Sequence, residues 1–164
     1  MIRMELKKIE QQDRDKTNAF IKKEVGGTLL VLREGEQFEL ANAEGFEIYD
    51  KEEIIGLITY EIRDKVCEIL SLDSKVEGKG LGTQLVEAVK NVARNNNCSK
   101  LLVETTNALI GAIAFYQKKG FRLVKIYPDA MKYVREVHPY LTEADFMEES
   151  GIVSRDLLEF EMEL

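Results

Sequence analysis

Gly78, Gly80 and Gly82 stand at alternate positions in the run Val-Glu-Gly-Lys-Gly-Leu-Gly-Thr-Gln-Leu-Val at residues 76–86. Glycines so spaced leave backbone N–H groups exposed and let a bulky anion come close, and a helix beginning behind them adds the positive end of its dipole. The stretch is suited to cradle a phosphate. Its spacing disfavours the two commonest nucleotide motifs. Thr83 stands where the dinucleotide fingerprint has its third glycine, and Thr83-Gln84 follows where a P-loop beginning at Gly78 would need Gly-Lys.

Other reactive side chains are few. Cys67 and Cys98 are the only cysteines and form no Cys-x-x-Cys pair; His138 is the only histidine. A metal site is therefore not expected, and each cysteine reads as a small buried hydrophobe rather than a nucleophile. The net charge of −7 shows no basic stripe for a phosphodiester backbone, so nucleic acid is not an expected partner. Acidic side chains keep a chain soluble, and they also suit a cationic acceptor.

Elements able to position the cradle follow from periodicity. Residues 4–9 alternate as a strand, and residues 13–25 read as a helix ended by Gly26-Gly27. Short β-prone pieces follow at 28–32, 38–40 and 45–49. Residues 54–62 and 66–72 then form a hairpin across a charged turn. After the glycines, Leu81, Leu85, Ala88, Val89 and Val92 recur at helical spacing, and Asn95-Asn96-Asn97 supplies a stop. A strand at 100–105 completes a βαβ unit with the cradle at a strand's carboxyl end. A second helix is expected over 107–119, capped by Thr106 or Asn107 and ended by Gly120, then strands at 121–127 and 157–164. Pro128 and Pro139 bracket a segment that reads as irregular. With 164 residues, 45% of them hydrophobic, the expectation is one α/β domain. It would have a mixed central sheet with helices on both faces. No apolar run is long enough to span a membrane, and the opening Met-Ile-Arg-Met-Glu-Leu does not read as a signal peptide, so a cytoplasmic protein without membrane contact is expected.

Two motifs at this separation resemble those of the GNAT N-acetyltransferase superfamily. One is Gln/Arg-x-x-Gly-x-Gly/Ala after a strand, matched at Glu77 to Gly82 with Glu77 in place of the usual Gln or Arg. The other is Phe-Tyr-x-x-x-Gly-Phe, matched at Phe115 to Phe121. The order of elements matches from about residue 4 to residue 164, so the resemblance implies one N-acetyltransferase domain over residues 1–164.

The resemblance implies acetyl-CoA as co-substrate. The amides of Gly78, Lys79, Gly80, Leu81, Gly82 and Thr83 would hold its pyrophosphate, with Lys79 offsetting Glu77. Leu70 and Leu72 would pair through their backbones with the pantetheine arm, and the Leu72 N–H would polarise the thioester carbonyl. Tyr116 matches the tyrosine that protonates the leaving thiolate, and Asn107 matches an asparagine that supports the cofactor loop. An acceptor ammonium must also lose a proton. Glu68 and Glu104 are the candidate bases, each on a strand expected to flank the cofactor. Strand alternation places Glu68 with Leu70 and Leu72. Each of these residues has a plainer reading: core packing for Tyr116, Leu70 and Leu72, a solvated carboxylate for Glu68 and Glu104, a helix cap for Asn107.

Two functions stay open at this level. One is transfer of an acetyl group to a primary amine, on a small molecule or a peptide, by direct attack in a ternary complex. The other is a GNAT-like module that holds CoA without turnover. The resemblance also leaves a homodimer open.

Overall fold

The computed structural model describes residues 4–164, so Met1 to Arg3 at the start of the opening run lie outside it. It shows a mixed α/β fold whose strands pair mostly antiparallel. The chain resolves into two compact units. One holds the chain to Leu30, Glu39–Leu101 and Glu163–Leu164. The other holds Val31–Phe38 and Leu102–Met162.

The first unit is built on four strands, β1 (Met4–Lys8), β4 (Glu44–Asp50), β5 (Glu53–Arg63) and β6 (Val66–Ser74), adjacent in that order. All three pairings are antiparallel, including the hairpin expected across Arg63-Asp64-Lys65. Helix α1 (Arg14–Val25) covers one face and ends at Gly26, in the left-handed conformation that favours glycine. Its Phe20 and Ile21 pack with Ile9, Leu40, Tyr49, Ile54 and Leu57, and Leu70 packs against that cluster. Helix α2 (Leu81–Asn95) lies on the opposite face, its Leu81, Leu85, Val86, Val89 and Ala93 buried. Asn96 closes it and Asn97 turns with φ +56°, where the run of asparagines predicts the stop.

The strand β6 is not regular. Thr59 pairs with Ser71 and Tyr60 with Ile69, so Leu70 is an extra residue opposite no partner. A bulge of this kind flips the alternation beyond it. Glu68, Ser71 and Asp73 pair with Glu61, Thr59 and Leu57 on the α1 face, and Leu72 pairs with Ile58 on the α2 face. The expectation that Glu68 and Leu72 share a face therefore fails, because simple alternation cannot register an inserted residue.

The second unit carries β7 (Lys100–Thr106) from Leu102 onward, α3 (Ile110–Lys118), β8 (Arg122–Tyr127), α4 (Met131–Val137) and β9 (Leu157–Glu163) to Met162. Its strands run in the order β7, β9, β8. The hairpin of β2 (Leu29–Leu32) and β3 (Glu36–Glu39) forms a two-stranded sheet of its own. Helix α3 starts three residues later than expected, with Leu109 rather than Thr106 or Asn107 at its N-cap. The segment between Pro128 and Pro139, expected to be irregular, holds α4. Its two turns bury Met131, and its Tyr133 lies under Gly35 of the hairpin.

Candidate functional site

The glycine run occupies residues 75–80 and the first turn of α2. Gly78 has φ +73° and Gly80 φ +71°, and an added Cβ at either position would meet nothing within 4 Å. Glycine is needed there for the backbone conformation, which L side chains rarely adopt, and not for room. Gly82, the third, lies inside the helix. The first helical bond runs from Gln84 N–H to Gly80 C=O, so the N–H groups of Leu81, Gly82 and Thr83 precede the helical ladder. No side chain caps this end and its first turn holds no acidic residue. Glu77, Gly78, Lys79 and Gly80 are exposed. The arrangement is a concavity of amide donors at the positive end of a 15-residue helix, suited to an anion.

Leading into it, β6 holds Glu68 buried at 6% exposure and Leu72 half-buried. Ser71 and Thr59 share a hydroxyl–hydroxyl hydrogen bond of 2.6 Å across the strands. Asp73, which the sequence reading passed over, follows Leu72 directly. Burial, with Glu24 nearby, pushes its carboxyl up to about 6. A carboxyl raised in this way gains and loses its proton closer to neutrality than an ordinary aspartate. Cys67 is buried and its thiol is pushed up to about 12, chiefly by burial, then by Cys98 and Glu68, which makes it an unreactive hydrophobe as expected.

Within the second unit the remaining predicted residues sit in three different settings. Tyr116 is 6% exposed. Its ring meets Phe115 and Phe121 edge-on at 5.3 and 5.5 Å and lies tilted against Phe160 at 6.2 Å. Glu104 has a fully buried side chain whose Oε2 accepts from Arg33 Nη1 at 2.9 Å, while Arg33 Nε donates to Glu36 at 2.7 Å. Arg33 also lines a cavity of about 250 Å³ with Glu34, Glu36, Lys125 and Tyr127. The Tyr127 hydroxyl donates to Glu159 at 3.3 Å, and burial, then Glu159 and Glu104, pushes its phenol up to about 12.

Asn107 does not cap α3. Its Oδ1 accepts from the backbone N–H groups of Arg155 and Asp156 at 2.8 and 2.9 Å, and its Nδ2 donates to the Val153 carbonyl at 3.3 Å. A primary amide offers donors and an acceptor at once, so it can satisfy backbone groups of both kinds in a segment that leads into a strand. The cap reading is thereby corrected: Asn107 secures residues 153–156, the entry to β9. His138, outside both motifs, pairs with Tyr140 in a surface loop at 3.2 Å. Sequence reasoning also missed Arg33, which lies 71 residues from its partner Glu104 and carries no local signal.

A family model described as the acetyltransferase (GNAT) family matches residues 9–121. Two proteins of Bacillus subtilis (strain 168), both uncharacterized, are similar along much of the chain. YxbD is 36% identical over 149 residues, 90% of this chain and 91% of its own length, and YdhI is 40% identical over 124 residues, 75% and 76%. Among solved structures, an IAA acetyltransferase from Bacillus cereus ATCC 14579 superposes with a TM-score of 0.73 at 24% identity, covering 99% of this chain and 100% of that one. A GNAT family acetyltransferase from Elizabethkingia anophelis, solved with acetyl-CoA bound, gives 0.68 at 23% identity and 98% of each chain. The Bacillus subtilis acetyltransferase solved in complex with CoA gives 0.66 at 21%, covering 100% and 99%.

Proposed function

Because the chain belongs to the GNAT acetyltransferase family, we propose that residues 1–164 act as one acetyl-CoA-dependent N-acetyltransferase domain transferring the acetyl group to a primary amine. The observation that carries this reading is the uncapped start of α2, with Gly78 and Gly80 both in the left-handed conformation and the N–H groups of Leu81, Gly82 and Thr83 ahead of the helical ladder, which supports a pyrophosphate held at residues 78–83. The relatives solved with CoA or acetyl-CoA support the choice of anion.

In this reading the diphosphate of acetyl-CoA is held by backbone donors, which explains why the exposed Glu77 in place of Gln or Arg is tolerable. The pantetheine arm extends along β6 at Leu70 and Leu72, where the bulge interrupts the ladder, and the Leu72 N–H polarises the thioester carbonyl. The amine attacks the carbonyl carbon directly, with no acetyl-enzyme. Collapse of the tetrahedral adduct expels the CoA thiolate, and Tyr116 supplies its proton; a phenol suits that role because its ordinary pKa, about 10, is near that of a thiol. Glu68 and Glu104 are the carboxylates to which the amine's protons drain. Glu104 is held by Arg33 at 2.9 Å. The protein is read as working in the cytoplasm on a small-molecule or peptide amine.

The experiment is thiol release from acetyl-CoA with Tyr116→Phe beside the wild type. The ring contacts survive this change, so acetyl-CoA binding stays within about twofold while turnover falls roughly 10²-fold or more. Equal turnover would move the protein to the second reading, a CoA-holding module whose Tyr116 only packs.

A further inference from the structure

We propose that Asp73 is the group that receives the acceptor's ammonium and takes its first proton, which makes the substrate a cationic primary amine. This rests on the acetyltransferase reading above. The bulge at Leu70 sets which face each residue beyond it takes. Past it, Leu72 turns its side chain to the α2 face while Ser71 and Asp73 face α1. A thioester carbonyl held at the Leu72 N–H therefore has a leucine on one side and the next residue's carboxylate on the other. Adjacent Cα atoms are about 3.8 Å apart, so that carboxylate is within reach of an amine attacking the carbonyl. Glu68 shares the face but lies four residues from Leu72, roughly 12 Å along a strand, which is beyond direct proton transfer. It is placed to accept the proton onward, through water.

The surroundings suit a cation. Glu24, on α1, adds a second negative charge to the field at Asp73. Lys75, two residues on, is engaged: its Nζ lies 3.6 Å from Glu24 Oε1 and 5.3 Å from the Phe20 ring centroid. Across the strands, Leu57 faces Asp73 and brings no charge. Ser71 is tied to Thr59 and does not compete as a nucleophile. With its carboxyl pushed up to about 6, Asp73 is ionised above that pH and basic enough to take a proton from an ammonium, which frees the nitrogen lone pair for attack.

The step balances. Asp73 takes one proton from the ammonium, and the nitrogen lone pair forms the N–C bond. The nitrogen's second proton leaves as the adduct collapses and the C–S bonding pair departs on sulfur. Tyr116 protonates that thiolate and is reprotonated by way of solvent, so one proton is released per acetyl group moved.

The test follows thiol release against pH for wild type, Asp73→Asn and Asp73→Glu, with 1,6-diaminohexane and n-hexylamine as acceptors, and acetyl-CoA binding measured on each protein. The wild type is expected to acetylate at least one amine with kcat/KM falling below about pH 6, as Asp73 becomes protonated. Asp73→Asn should lower kcat/KM at neutral pH roughly 10²-fold and abolish that limb, with acetyl-CoA affinity within twofold. Asp73→Glu should keep a limb at a displaced pH. Asp73→Asn with wild-type rate and an unchanged limb would overturn the proposal, as would a wild type that binds acetyl-CoA and acetylates neither amine. A wild type that fails to bind acetyl-CoA would overturn the acetyltransferase reading itself, and this proposal with it.

Discussion

The glycine turn before α2 and the Asn107–Arg33 region of the second unit are built by opposite means. The turn is local. Two left-handed glycines two residues apart and a helix that starts uncapped aim main-chain N–H groups, and the side chains of Glu77 before them and Lys79 between them lie exposed. The second region is assembled from a distance: Arg33 reaches Glu104 across 71 residues, and Asn107 reaches Arg155 and Asp156 across 48 and 49. A site made of backbone is fixed by conformation and tolerates changes of side chain. One made of buried polar side chains fails when a single partner is removed.

The difference can be broken from the second unit first. Arg33→Met removes the guanidinium from a carboxylate with no exposed side-chain surface and should cost about 3–5 kcal/mol in denaturant unfolding. Adding Glu104→Leu should return much of that loss, and a double variant no more stable than Arg33→Met would show that the pair is not the reason. Asn107→Ala removes three hydrogen bonds to residues 153–156 and leaves two backbone donors to find water. About 2–3 kcal/mol of destabilisation is expected, read as a lower melting temperature.

The fold was legible wherever the signal is local. The strands at 4–8, 53–63 and 66–74, the helix at 81–95 and its asparagine stop all follow from periodicity and turn residues. So did the left-handed turn at Gly78 and Gly80, because glycine spacing is itself a statement about backbone conformation. What was not legible depends on partners elsewhere in the chain. The bulge at Leu70 arises from the pairing of two strands, and only it reveals that Asp73 shares Glu68's face while Leu72 does not. Asn107 reads as a cap from its neighbours and serves as a clamp because of residues nearly fifty positions on. Helix α4 is two turns long, too short for periodicity to declare, and it is stabilised by burying Met131 and by Tyr133 under Gly35.

The claim on which the account stands is that main-chain amides at Gly78–Thr83 bind acetyl-CoA. It is tested most directly by calorimetric titration of acetyl-CoA, with ADP alongside, into the wild type and Gly80→Val. The wild type should bind acetyl-CoA more tightly than ADP. In the variant the turn relaxes away from φ near +71° in the free protein, and regaining that conformation on binding should cost about 1–2 kcal/mol, weakening acetyl-CoA binding roughly tenfold while the melting temperature changes little. No binding by the wild type, or equal affinity in Gly80→Val, would contradict the account.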